Sequence, residues 1–133
     1  MNPSPESRPG PQTLVWWVLW FAMQTGVFVQ YHFLSQGRPV PAGGDSGPWM
    51  VALLPLAVSA VMRWVVLGRV KTAAQALPLF IMGIAMAEAT NLVGLFVFPA
   101  HRLDLFVLSV LGVGQFAPFF AGRYAQAQDG GGR

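Results

Sequence analysis

The chain has 133 residues, of which 54% are hydrophobic and 10% charged, and its mean hydropathy is +0.52. One domain fits that length, but soluble domains average about 25% charged residues and a small one leaves much of its surface in water, so the apolar surplus implies lipid as the solvent. The eight Lys and Arg that give the net charge of +3 are scattered in ones and twos, which excludes a nucleic-acid-binding stripe. The absence of cysteine excludes disulfides, thiolate metal sites and cysteine nucleophiles.

Residues 1–12, MNPSPESRPGPQ, are rich in proline and polar residues and are expected to be a disordered tail. Residues 13–34 read as the first transmembrane span. Its 22 residues, at about 1.5 Å each, match a hydrocarbon layer of about 30 Å. The apolar run is too long for a signal peptide and no A-x-A-like site follows it, so it is expected to be retained. Trp16, Trp17 and Trp20 near one end, with Tyr31 and His32 near the other, suit the aromatic belts of a bilayer. Gln24, near mid-span, is expected to hydrogen-bond to a neighbouring helix.

A Gly/Pro-rich loop follows, then a second span over 49–67, in which Pro55 is expected to introduce a kink. Arg63, in its last turns, is expected to extend towards the headgroups, with Trp64 as an interfacial anchor. The short basic turn Gly68–Thr72 forces an antiparallel hairpin. The third span covers 73–98 and ends before Pro99, because proline disfavours the α region at the preceding residue. The fourth covers 103–122, with Asp104 in its first turn, Gly112 and Gly114 for close packing, and Pro118 near its exit. The tail 123–133 is Gly-rich, polar and expected to be disordered.

These spans predict an all-α membrane protein: four transmembrane helices in an up-down antiparallel bundle within 13–122. Arg8, Arg63, Arg69, Lys71, Arg123 and Arg133 then fall on one side of the membrane, and only Arg38 and Arg102 on the other. Positive residues favour the inside, so both termini are expected in the cytoplasm.

Glu88 is the acidic residue deep inside an apolar run. An acidic residue at a helix centre costs roughly 2.5–3.5 kcal/mol on insertion scales, so it should face the bundle or another subunit. Asn91 is one turn on, and Gly83, Ala87 and Gly94 form a small stripe beside it, suited to close helix packing. Three readings stand open. A neutral Glu88 locks the bundle by donating to another span. Alternatively, it binds or relays a proton or cation. In the third, it pairs with a basic group of a partner protein or ligand.

The segment Ala87–Val97, AEATNLVGLFV, resembles the carboxylate-bearing helix of the ATP synthase and V-type ATPase proteolipid (subunit c). Glu88, Ala89, Gly94, Leu95 and Val97 carry the likeness, which covers 11 of 133 residues. The second span lacks that family's glycine repeat, and the chain has two hairpins rather than one. The layout is also similar to a loose class of uncharacterised four-span bacterial membrane proteins, a resemblance that implies fold and location only. Small multidrug-resistance exporters share the four spans and a single membrane Glu, but carry it on the first span, where this chain has Gln24.

His32 and His101 fall at the other interface, and Asp104 is the nearest third ligand; the pair is a weak metal candidate, and the expectation is interfacial histidines with no metal. No nucleophile–base pair or phosphate loop can be assembled, so no enzyme activity and no cofactor are expected. The expected function is that of a structural or accessory subunit in which Glu88 and Asn91 lock helix packing. The alternative is a proton- or cation-translocating or small transporter element with Glu88 as the titrating site. The partners expected are the lipid bilayer and a second copy or another membrane protein, in a bacterial inner membrane, with no nucleic acid.

Overall fold

The computed structural model describes residues 11–39 and 47–121; the two tails read as disordered, apart from residues 11 and 12, lie outside those residues. The described chain is helical and contains four helices long and apolar enough to cross a membrane. In lipid only intrachain hydrogen bonds can satisfy the backbone, and a continuous apolar helix does so within one segment.

The first helix, Pro11–Ser35, begins two residues before the expected span. Proline is accommodated at a helix start because the N–H it lacks has no intrahelical partner there. Gly37 follows the helix at φ 72°, the left-handed conformation that closes a helix C-terminus with little cost only for glycine.

The second helix, Trp49–Arg69, changes pitch along its length. It runs as a 3₁₀ turn over Trp49–Leu53, an α segment over Leu54–Val61, a π turn over Met62–Val66 and a last α turn over Leu67–Arg69. Pro55 was expected to kink a continuous helix. It lies instead in the first turn of the α segment, where its missing N–H leaves few bonds unmade. The π turn widens the helix at Arg63 and Trp64. Both side chains reach across it to Gln115 of the fourth helix.

Three residues, Val70–Thr72, separate it from the third helix, Ala73–Phe96. That helix stops two residues short of the expected 98. Phe98, at φ −126° and ψ 64°, is pushed out of the helical region by Pro99. The fourth apolar stretch, Pro99–Phe120, was read as one span from 103. Its α segment is only Arg102–Gly114, preceded by a 3₁₀ turn at Pro99–His101 and followed by another at Pro118–Phe120. Ala117 is extended at ψ 125°, as a residue before proline tends to be, and the α-helix therefore ends before the apolar run does.

An α-helix that ends before its apolar run does leaves carbonyls without intrahelical partners. The backbone N–H groups of Gln115, Phe116 and Ala117 donate to Leu111, Val113 and Gly114, and two other helices add side-chain donors. The Trp20 indole donates to Val113 O at 2.9 Å, and Arg63 Nε donates to Gln115 O at 2.7 Å. Trp20→Phe keeps an aromatic ring, though a smaller one, and removes the donor. It should lower stability by about 1 kcal/mol, read as thermal unfolding in mild detergent; an unchanged midpoint would show that the bond contributes nothing.

The third helix is the centre of the molecule. In its most apolar stretch 44% of residues are buried, against 11% for the first helix. Its partners along the fourth helix run in opposite order: Gly94 meets Leu105, Ala87 meets Gly112, and Gly83 meets Phe116. Towards the Ala73 end an aromatic cluster fills the core, with Trp16 edge-on to Phe80 (4.9 Å) and Phe120 (5.7 Å), and Phe80 edge-on to Phe116 (5.9 Å). Outward-facing positions are apolar too, among them Phe21, Phe33, Leu54, Trp64, Leu111 and Phe119.

Candidate functional site

At 100° per residue, neighbouring positions of the third helix face different partners. Gly83, Ala87 and Gly94 are buried against the fourth helix. A β-carbon added at Gly83 would lie 2.3 Å from Phe116 Cζ, and one at Gly94 would lie 2.7 Å from Leu105 Cβ. Glu88 and Asn91 turn instead towards the first helix. Glu88 Oε1 lies 3.8 Å from the position a Cβ would take on Gly26, which places the carboxyl against the first helix. Asn91 is fully buried and its Nδ2 donates to Gln30 Oε1 at 3.5 Å. What the sequence presents as one packing face is thus two seams, one of small residues and one of polar ones.

Several polar atoms at this level have no hydrogen-bond partner. Glu88 Oε1, Asn91 Oδ1 and Gln24 Oε1 are buried with no hydrogen-bond partner among the described residues, as are the hydroxyls of Thr90 and Ser109. Their heights agree. Ser109 lies between Leu105 and Gly112, which face Gly94 and Ala87, and is therefore level with Thr90 and Asn91. Gln24 was expected to bond to a neighbouring helix; its carbonyl oxygen makes no such bond. No ion pair to Glu88 forms among the described residues. Buried polar groups are normally hydrogen-bonded, so these unmet atoms are exceptions among the described residues.

Gln30, Thr90 and Ser109 were not singled out from sequence. Gln30 had a signal: it is one turn beyond Gly26, on the face that meets Glu88. Thr90 and Ser109 had none, because isolated hydroxyls in apolar helices ordinarily bond their own backbone.

The two histidines are apart in their surroundings. His32 is exposed, with Nε2 2.9 Å from Gln36 Nε2. His101 Nδ1 lies 3.5 Å from Asp104 Oδ2, and its ring stacks on Trp49 at 5.0 Å. Among the described residues no group of three or more His, Cys, Asp or Glu side chains is placed to hold a metal. Near this end of the molecule, Arg102 Nη1 donates to Arg38 O at 3.2 Å, and the Arg38 guanidinium lies 4.4 Å from the Phe96 ring centre.

At the opposite end, Gln115 gathers a second polar group. Its carbonyl takes Arg63 Nε, its side-chain oxygen takes Trp64 Nε1 at 3.0 Å, and its Nε2 donates to Ser59 Oγ at 3.4 Å. The Arg63 guanidinium is 4.5 Å from the Phe120 ring centre. Arg63, expected to reach for headgroups, instead caps the broken fourth helix. A cation is favoured at a helix C-terminus by the dipole and by the unpaired carbonyls there.

No protein family, curated protein or solved structure matches this chain.

Proposed function

We propose that the protein is a structural or accessory subunit of a bacterial inner membrane, in which Glu88 and Asn91 hold the first helix to the third. The supporting observation is the Asn91–Gln30 bond beside the Glu88–Gly26 contact. The Asn91–Gln30 bond is a polar contact of a helix that is otherwise little buried. The opposite running order of paired residues on the third and fourth helices supports an up-down antiparallel bundle. The excess of Lys and Arg on one side supports cytoplasmic termini. A second copy or another membrane protein is the expected partner, since four apolar spans leave little of the chain outside the bilayer.

Glu88→Ala should lower the melting temperature in mild detergent or remove a protein that copurifies with the wild type. If neither changes, Glu88 is not part of a lock.

A second reading has its own support. Glu88 Oε1 is buried without a partner among the described residues, as expected of a proton- or cation-carrying site awaiting its ligand. On this reading Glu88→Gln leaves the fold stable and abolishes proton-coupled flux in proteoliposomes. Wild-type protein that shows no flux, and no labelling of Glu88 by dicyclohexylcarbodiimide, would eliminate it.

A further inference from the structure

Between the second and fourth helices, away from the polar seam, lies an open groove of about 220 Å³ lined by Leu56, Ala60, Leu108, Leu111, Gly112 and Gln115. We propose that this groove and the basic turn beyond it bind one anionic phospholipid, the acyl chain lying in the groove and the phosphate at Arg69 and Lys71.

Three observations fit this occupant together. The groove wall is hydrocarbon except at one end, where Gln115 meets Trp64 and Ser59. It opens sideways, since Leu111 on its edge is 64% exposed, and in a membrane that direction is lipid. At Gly112 the groove is floored by backbone, a Cβ there pointing at Leu56 Cδ1 (2.5 Å) and Ala87 Cβ (3.0 Å).

The polar end sets the direction. From Trp64 the second helix runs five more residues to Arg69, roughly 7.5 Å further along its axis. The Trp64 indole, 70% exposed, marks the depth where aromatic side chains meet headgroups. Beyond it Arg69 and Lys71 are both exposed, and the turn Gly68–Thr72 contains no acid. Along the second helix the order is apolar groove, indole, then two cations, which matches an acyl chain, its ester region and a phosphate. Basic sites between transmembrane helices select anionic headgroups by this charge match. A zwitterionic lipid would meet the same groove but bring its own cation to the turn. Arg63 is not needed for the headgroup, because it is committed to Gln115 and Phe120.

The test uses the full chain in mild detergent, titrated with dioleoylphosphatidylglycerol or dioleoylphosphatidylcholine and read by native mass spectrometry. The wild type should retain one phosphatidylglycerol with a preference of about tenfold over phosphatidylcholine. Arg69→Gln with Lys71→Gln should abolish the preference. Ala60→Phe, which fills the groove, should reduce retention of both lipids. Equal retention of the two lipids by the wild type would overturn the proposal. So would undiminished phosphatidylglycerol binding in Ala60→Phe. Should Ala60→Phe fail to fold, judged by its helical circular dichroism, the charge variant decides alone. Its turn is exposed, and a preference that survives there sinks the headgroup assignment.

Discussion

Gly83→Ala should destabilise the protein by about 1–3 kcal/mol, the usual cost of forcing an extra methyl into a filled core. In most helices the same change is stabilising, because alanine loses less backbone freedom on folding, by roughly 1 kcal/mol. Contact reverses the sign here. The new methyl would sit 2.3 Å from Phe116 Cζ and 2.6 Å from its Cε1. Phe116 is fully buried and edge-on to Phe80, so the ring cannot swing clear. Gly94→Ala should behave alike against Leu105. Gly114→Ala supplies the contrast, since nothing lies within 4 Å of the added atom; it should be neutral or slightly stabilising. Phe116→Leu combined with Gly83→Ala should cost less than the two single changes added together, the non-additivity expected of residues in contact. The measurement is thermal or SDS unfolding in mild detergent. If Gly83→Ala matches Gly114→Ala, the third and fourth helices do not approach as described.

That contrast marks how far the residues alone could be read. Four apolar runs of bilayer length are visible in the composition, because lipid demands them whatever the tertiary packing. The stripe Gly83, Ala87, Gly94 is visible as spacing, and Glu88 as an expense. Spacing does not say which partner each stripe meets. Glu88 and Asn91 are only one residue away from the small stripe on the helical wheel, yet they face the first helix rather than the fourth. Gly112 and Gly114 look equivalent in sequence; only the position of Leu56 and Ala87 makes the first essential and the second free. The fourth helix is the clearest case. Gly112, Gly114 and Pro118 weaken it, but similar residues elsewhere in membrane helices cause no break. The early stop is sustained by donors remote in the chain: Trp20, 93 residues from Val113, and Arg63, 52 residues from Gln115. No local pattern encodes such a cap.

Those remote donors are the basis for the other large expected effect. Arg63→Met should lower stability by about 1.5–3 kcal/mol, the range for hydrogen bonds to charged groups, because it removes the donor to the Gln115 carbonyl. The change removes more than charge. Arg63 donates through Nε, in the plane of a guanidinium that also lies over Phe120. Lysine keeps the charge and the attraction to the helix C-terminus but has neither the planar fork nor that stacking. Arg63→Lys should therefore recover less than half of the loss. Local opening provides a sharper readout than the midpoint. Amides from Gln115 to Ala121 should exchange faster with deuterium in Arg63→Met, while those around Leu105, opposite Gly94, keep their protection. Trp20→Phe with Arg63→Met should fray the same segment further, since the two donors cap one helix end from two sides. Faster exchange spread evenly over all four helices would mean instead that Arg63 supports the whole bundle and that the broken end needs no dedicated cap. A localised effect would separate two tasks within one small protein: the Trp20–Arg63 cap sustains an interrupted helix, and the Glu88 seam is left to meet whatever fills its unpaired oxygens.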